Sequence, residues 1–169
     1  MAVELRVAGQ LAVIGETGQR QHLESTQAQV ALALLLLERD RGVTRDELAN
    51  VIWPYGSPPT WASALRNVLS RLRRFVLTAM PSLEQPVVVQ GRHYLLQLPD
   101  DAVVDIEVAE REIVAAQDAL AAGDVGSALR LAARGADPLR TPFLSANDGP
   151  WVASWRGRHT ELLALALET

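Results

Sequence analysis

Apolar positions in residues 60–79 recur at helical spacing, and the polar positions between them form a face of their own. At 100° per residue, the apolar side chains fall within about 80° of Leu65. These are Val68, Leu69, Leu72, Phe75 and Val76. The opposite side and its edges carry Ser63, Arg66, Asn67, Ser70, Arg71, Arg73 and Arg74. The pattern predicts an amphipathic helix with one buried face and one cationic, hydrogen-bonding face.

The polar face of this helix has two interpretations. It could be a solvated surface, but such faces usually mix acids with bases, since opposite charges at i,i+4 stabilise a helix. This helix contains four arginines and no acid. A helix that enters the DNA major groove needs Arg, Asn and Ser to contact base edges, and further Arg to contact phosphates. The residues therefore favour nucleic-acid binding, with a solvated face as the alternative.

In the chain before this helix, apolar residues are spaced first with the period of strands and then with the period of helices. Residues 3–7, 11–14 and 20–23 predict three short strands. Residues 26–38 predict a helix that is apolar nearly all round and therefore central to the core. A capping box, Thr44 with Glu47, predicts a second helix that ends near Trp53. The order is then helix, turn, helix, and a third, polar-faced helix.

A proline-rich loop at residues 54–59 leads into the polar-faced helix, with Thr60 as its predicted N-cap. After the helix, residues 87–89 and 94–98 predict a β-hairpin whose tip carries Arg92 and His93. A two-stranded ribbon that follows a helix-turn-helix is a wing, and its tip would lie over a phosphate or the minor groove. The alternative is an ordinary surface hairpin.

The second part of the chain is predicted to be helical. A change in composition at residues 99–101 marks a domain boundary, after which Asp105 is predicted to cap a helix. The predicted helices are 106–121, 125–134 and 151–167. The first two form a pair like one tetratricopeptide unit. The sequence thus predicts an α+β protein. Residues 1–99 would be N-terminal strands with a winged helix-turn-helix, and residues 100–169 a tetratricopeptide-like α-helical segment.

Charge divides along the same boundary. The 169 residues carry a net charge of −4, but residues 1–99 sum to +2 and residues 100–169 to −6. The chain has no cysteine, and its three histidines lie on separate predicted elements, so neither a thiolate nor a histidine metal site is predicted. No catalytic constellation, cofactor motif, signal peptide or membrane-spanning run is apparent. We therefore expect a cytoplasmic protein that is not an enzyme and binds no cofactor or metal.

Six segments follow one another in an order that is typical of one group of regulators. In chain order they are VALALLLL, VTRDELANVIWP, SALRNVLSRLRR, GRHYLLQL, VVDIEVAEREIVAAQDALAAGD and FLSANDGPWVASWRGRHTELLALALE. Together they resemble the Streptomyces antibiotic regulatory proteins, in which an OmpR-type winged helix precedes a bacterial transcriptional activator domain. The resemblance extends over nearly the whole chain, from about residue 3 to residue 168.

The resemblance implies a sequence-specific transcription activator. Such a protein binds direct repeats near promoters, usually as a side-by-side pair on double-stranded DNA, and recruits RNA polymerase. By position, the residues implied to contact bases are Ser63, Arg66, Asn67 and Ser70. The residues implied to contact phosphates are Arg71, Arg73, Arg74 and Arg92. The loop at residues 54–59 corresponds to the segment through which OmpR-type domains contact polymerase.

Three features differ from the family pattern. Trp61 begins the polar-faced helix where smaller residues are usual, and His93 replaces the customary Gly before the wing Tyr94. The activator part is also shorter than in the family. The shorter activator part and the net charge of −4 leave open a second function, in which the chain is a protein-interaction or regulatory module that does not bind DNA, as the N-terminal part of a larger regulator.

Overall fold

The computed structural model describes residues 2–169. These residues contain seven short strands and six helices, which are connected by loops and turns. The strands are β1 Glu4–Arg6, β2 Ala12–Ile14, β3 Arg20–His22, β4 Val43–Thr44, β5 Val87–Gln90, β6 His93–Leu96 and β7 Val103–Val104. The helices are α1 Thr26–Leu37, α2 Arg45–Ile52, α3 Trp61–Ala79, α4 Asp105–Ala121, α5 Val125–Leu139 and α6 Pro150–Glu168. The predicted α+β class and the order of its elements are confirmed.

The strands form two sheets. The first has the order β3-β2-β1-β7, in which β1 pairs antiparallel with β2 and parallel with β7. The second has the order β4-β6-β5 and is antiparallel. Strand β7 is not predicted from the sequence, because two residues are too few to establish an alternation. It brings the chain that follows residue 99 back to the edge of the N-terminal sheet.

Helix α1 lies at the centre of the core. Every residue from Ala28 to Leu36 is buried, which agrees with its apolar sequence. Ser25 caps the helix by accepting a hydrogen bond from the backbone N–H of Ala28 at 3.2 Å. Gly42, with φ of +79°, closes the turn that follows the helix, and its N–H donates to the Glu38 carbonyl at 2.8 Å.

The predicted capping box of α2 is confirmed. The Glu47 N–H donates to Thr44 Oγ1 at 3.2 Å, and the Thr44 N–H donates to Glu47 Oε2 at 2.7 Å. The Thr44 bond and the neighbouring Arg41 guanidinium hold the pKa of Glu47 below its usual value. This cap fixes the start of α2 immediately beside strand β4, whose partner in the sheet is the wing strand β6.

Asp105 has a different role from the predicted one. It is the first residue of α4, whose N-cap position belongs to Val104 and lacks a side-chain cap. Its carboxylate accepts hydrogen bonds from the N–H groups of Val7 at 3.1 Å, Ala8 at 3.0 Å and Ile106 at 2.8 Å. Burial raises the pKa of Asp105, and these donors oppose that rise. The side chain therefore joins the end of β1 to the start of α4.

One hydrophobic core extends across the predicted boundary at residue 99. Val104, Ile106, Phe143 and Val152 belong to the same buried cluster as the strands and helices of the N-terminal part. A smaller cluster lies among α4, α5 and α6, where Ala109, Ile113, Ala136, Leu139 and Ala166 are buried together. The helical segment is thus packed directly onto the part that precedes it.

Polar contacts reinforce this packing. Asn147 Nδ2 donates to Gln29 Oε1 at 2.8 Å, and Gln29 Nε2 donates to the Leu23 carbonyl at 2.5 Å, with both side chains buried. Arg39 and Glu107 form a bidentate ion pair at 2.6 and 2.8 Å. Because buried polar groups are costly without partners, the bond between Gln29 and Asn147 specifies how α1 and the segment before α6 fit together. The ion pair of Arg39 and Glu107 joins the turn after α1 to α4.

The helices α4 and α5 pack closely against each other as the predicted pair. A Cβ added at Gly135 would lie 2.7 Å from Ile113 Cγ1 and 3.0 Å from the Ala109 carbonyl oxygen, so glycine permits this approach. Helix α5 extends to Leu139, beyond the predicted end at residue 134, with Pro138 in its last turn. The sequence predicts too early an end for this helix because charged and small residues follow Arg134.

Candidate nucleic-acid interface

Helix α3 exposes the face that the sequence predicts to be polar. Its buried side chains are Leu65, Val68, Leu69, Leu72, Val76 and Ala79, which pack into the main core. The four predicted base-contacting residues are all exposed. Of the predicted phosphate-contacting residues on α3, Arg71 and Arg74 are exposed, and Arg73 is half-buried at the edge of the face. The structure therefore brings these side chains together on one accessible surface.

The arginines of α3 have no carboxylate partners. Within residues 2–169, none of Arg66, Arg71, Arg73 and Arg74 forms an ion pair. Six of the other twelve arginines do form ion pairs within these residues, namely Arg6, Arg39, Arg41, Arg134, Arg156 and Arg158. The α3 face thus keeps its positive charge available for an external anion.

The short polar side chains of the α3 face are also available. Arg66 Nη2 donates to Ser63 Oγ at 3.3 Å, a long bond between exposed groups one helical turn apart. In the part of the chain that the structure describes, the side chains of Asn67 and Ser70 form no hydrogen bond. Their donors and acceptors are therefore free to bind groups from another molecule.

The C-terminal end of α3 is fixed by the turn between β2 and β3. The Glu16 N–H donates to the Ala79 carbonyl at 3.0 Å. A Cβ added at Gly15 would lie 2.3 Å from the same carbonyl oxygen, so only glycine allows this approach. The Glu16 side chain in turn accepts a hydrogen bond from the Ser82 hydroxyl just beyond the helix. These contacts hold the helix against the first sheet.

The predicted wing is present as the hairpin of β5 and β6. Gln90 pairs with His93, so His93 belongs to β6 and not to the tip as predicted, and the turn consists of Gly91 and Arg92. Gly91 has φ of +60°, as required at the first position of a II′ turn, and glycine adopts it without strain. Arg92 is exposed at the tip. Strand β6 also pairs with β4, where Thr44 lies opposite His93, so the wing is attached to the start of α2.

The loop between α2 and α3 presents an aromatic side chain to solvent. Tyr55 is 87% exposed, and Gly56 beside it has φ of +126°. The Trp61 N–H donates to the Pro58 carbonyl at 3.0 Å as α3 begins. Thr60 occupies the predicted N-cap position but makes no side-chain cap bond, and its backbone is not in the extended conformation of a capping residue.

A groove beside the α3 face was not predicted from the sequence. It lies between α2, α3 and the wing and has a volume of about 450 Å³. Arg45 and Arg92 line it, and the Arg45 guanidinium carbon lies 5.2 Å from the centre of the Trp61 ring. The contact joins residues sixteen positions apart on two helices, so no periodic pattern could indicate it.

Residues 2–169 do not favour a metal site or a membrane-spanning helix. No group of three or more His, Asp or Glu side chains in these residues is placed to hold a metal ion. The helices described here are all too short or too polar to cross a bilayer.

Comparison by sequence gives one informative similarity. The chain is 29% identical over 145 residues to Regulatory protein AfsR of Streptomyces coelicolor, an alignment that covers 86% of this chain. It covers only 14% of AfsR, so the chain spans about one seventh of that relative. No protein-family model matches the chain.

Comparison by structure supports the fold. The structure of Mycobacterium tuberculosis EmbR in complex with a low affinity phosphopeptide superposes with a TM-score of 0.85 at 23% identity. The match covers 97% of this chain and 43% of that one.

The two similarities agree with what the sequence implies. The structural similarity confirms the predicted fold, a winged helix followed by a helical segment. The named sequence relative is a regulatory protein, as the resemblance implies for this chain.

Proposed function

We propose that this chain binds double-stranded DNA through α3 and the wing, as the DNA-binding part of a transcription activator. Residues 1–99 supply the DNA-binding unit, and residues 100–169 the activator-like helical unit. Base edges are contacted by Ser63, Arg66, Asn67 and Ser70. Phosphates are contacted by Arg71, Arg73, Arg74 and Arg92. Because promoters lie on the chromosome, the protein acts in the cytoplasm.

The observation that carries this proposal is the face of α3 that has arginines without partners. The α3 arginines have no carboxylate partner within residues 2–169, so no neighbouring acid offsets their charge. Mixed with exposed Ser and Asn, they supply both the phosphate contacts that position a protein on DNA and the base contacts that specify sequence. The α3 helix is long enough, at 19 residues, to extend from a base-reading end to a phosphate-contacting end.

The resemblance also supplies the partners. Two copies would bind direct repeats side by side, and RNA polymerase would contact the loop at residues 54–59. The exposed Tyr55 is a suitable contact in that loop, because a tyrosine presents both an apolar ring and a hydroxyl to a partner. Recruitment of polymerase through this loop would make the bound protein an activator.

Salt dependence of DNA binding tests the proposal. If about five to seven phosphates are contacted, the logarithm of the binding constant should fall with the logarithm of salt concentration at a slope of about −4 to −6. The measurement is a fluorescence-anisotropy titration with a labelled random duplex at several salt concentrations. Absence of binding at low salt and micromolar protein would contradict DNA binding.

A second function is favoured by the helical segment. Its exposed apolar side chains include Val114 at 56%, Val125 at 55% and Leu129 at 60%. Together with the acidic charge of residues 100–169, they suit a protein-interaction or regulatory module that does not bind DNA. Under this alternative the random duplex does not bind, whereas under the leading proposal it binds before any partner is added.

A further inference from the structure

The groove between α2, α3 and the wing combines two cations with an aromatic ring. Its lining residues are Thr44, Arg45, Asp46, Trp61, Val89, Gly91, Arg92 and Tyr94. Arg45 comes from the start of α2, Trp61 from the start of α3 and Arg92 from the tip of the wing. Three separate elements therefore converge on one open groove at the end of the α3 face.

Arg45 is held within this groove by stacking. Its guanidinium carbon lies 5.2 Å from the centre of the Trp61 ring, within the range of a cation–π interaction. Arg45 is exposed and forms no ion pair within residues 2–169, whereas Trp61 is half-buried against the core. The half-buried Trp61 ring restricts the directions in which the long Arg45 side chain can point its guanidinium. Less conformational entropy is then lost when the guanidinium binds an anion.

The charges of the groove define the ligand. Arg45 and Arg92 contribute two positive charges, and the exposed Asp46 contributes one negative charge. The net charge of these three side chains is positive, which suits the binding of a singly charged anion. The groove lies beside the exposed face of α3 and not on it. A duplex contacted by that face would therefore bring its backbone to the groove while its base edges meet α3.

We propose that Trp61 is a positioning residue, which holds Arg45 in place to bind one phosphodiester of the DNA backbone between α2 and the wing. The site presupposes the DNA binding proposed for α3, and it adds Arg45 to the phosphate contacts. Arg92 binds the same stretch of backbone from the wing. The large aromatic residue at the start of α3 thus acts on DNA through Arg45, without itself reading a base.

Three variants of the full chain test this role. Arg45→Gln removes the charge, Trp61→Leu keeps an apolar side chain without a π face, and Trp61→Phe keeps a π face. Arg111→Gln is the matched control, because Arg111 is exposed on α4, does not line the groove and forms no ion pair within residues 2–169. Binding to one labelled duplex is measured across salt concentrations, and thermal unfolding checks that each variant is folded.

We expect Arg45→Gln to reduce the magnitude of the salt slope by about 0.9, and Arg111→Gln to leave it unchanged. Trp61→Leu should weaken binding about two- to fivefold relative to Trp61→Phe. That difference should disappear when Arg45→Gln is also present, because the ring acts only through Arg45. A merely structural tryptophan would give the same difference with or without Arg45.

The inference is overturned if Arg45→Gln keeps the wild-type slope, or if Trp61→Leu and Trp61→Phe bind alike. Either result would leave DNA binding by α3 intact, since the wild type would still bind with its steep salt dependence. Failure of the wild type to bind any duplex would instead overturn the proposed function, and the phosphate site with it.

Discussion

Arginines in α3 and arginines at the contacts of the helical segment have opposite surroundings. In the helical segment, Arg134 pairs with Glu112 at 2.5 Å and Arg158 pairs with Glu110 at 2.9 Å. On α3, Arg71 and Arg74 are exposed without an ion pair in the described chain. Both regions are amphipathic helices that carry Arg on the polar side. The arrangement of carboxylates, not the number of arginines, distinguishes a surface that joins helices from one that is open to a polyanion.

We expect the α3 face to determine DNA binding and the helical segment to contribute to the stability of the fold. Changes on the α3 face should alter DNA binding and leave folding intact, because these side chains contact little of the protein. Changes in the helical segment and its contacts should alter stability and leave the DNA contacts intact. The predictions that follow are ordered by the size of the expected effect.

Removal of charge from α3 should have the largest effect. Replacing Arg71, Arg73 and Arg74 together by Gln should reduce the magnitude of the salt slope by about 2.5 to 3, since three phosphate contacts are lost. A triple variant with Arg130, Arg134 and Arg158 replaced by Gln changes the net charge equally and should keep the slope. Equal loss of DNA binding in both triple variants would show that only total charge matters, and would break the comparison.

His159 should make the helical segment sensitive to acid. The ring is buried, makes an edge contact with Phe143 at 5.4 Å between ring centres, and its two nitrogens have no hydrogen-bond partner in residues 2–169. Burial, aided by the charge of Arg158, lowers the pKa of His159 from 6.5 to about 4. The folded ring therefore stays neutral at pH values where the unfolded ring takes up a proton.

The sign of the pH effect follows from that lowered pKa. The free energy of unfolding should fall as pH decreases from about 6.5 to 4, by up to roughly 3 kcal/mol from this residue. His159→Phe should remove this part of the pH dependence, because neither ring nitrogen has a hydrogen bond to lose. His22→Phe, an exposed change on β3, is the control. Urea unfolding at several pH values is the measurement. An unchanged pH profile for His159→Phe would exclude His159 as the cause.

The same substitution in the two regions should have different consequences. Asn147→Leu leaves Gln29 Oε1 without its donor in the core and should lower the free energy of unfolding by about 1–3 kcal/mol. Asn67→Leu, on the exposed face of α3, should leave stability within about 0.5 kcal/mol of wild type and weaken DNA binding. Urea unfolding and duplex binding, measured for both variants, give the comparison. The prediction would be contradicted if Asn67→Leu lowered the free energy of unfolding more than Asn147→Leu.

The sequence predicts best those features that depend on local spacing. The exposed face of α3 follows from a 100° period over nineteen residues, and the cap of α2 follows from Thr44 and Glu47 being three apart. The turn of the wing follows from Gly91, whose positive φ few other residues adopt. For each of these, the residues that determine the structure are neighbours in the chain.

Features that join distant segments could not be predicted in this way. Asp105 looked like a helix cap, yet its carboxylate binds the N–H groups of Val7 and Ala8, almost a hundred residues earlier. The stacking of Arg45 on Trp61 and the buried bond between Gln29 and Asn147 likewise depend on tertiary packing. The individual polar residues do not indicate these partners, because Asp, Arg, Gln and Asn are also common on solvated surfaces.

Selection of preferred duplexes from random DNA is the most direct test of the central claim that the α3 face reads sequence. Wild-type protein should enrich one defined sequence. Arg66→Ala and Asn67→Ala should each cost about 1–3 kcal/mol on that sequence and relax the preference at one base position, while Arg111→Ala should change neither. If both α3 variants enriched the wild-type sequence with unchanged stringency, the proposed reading face would be contradicted.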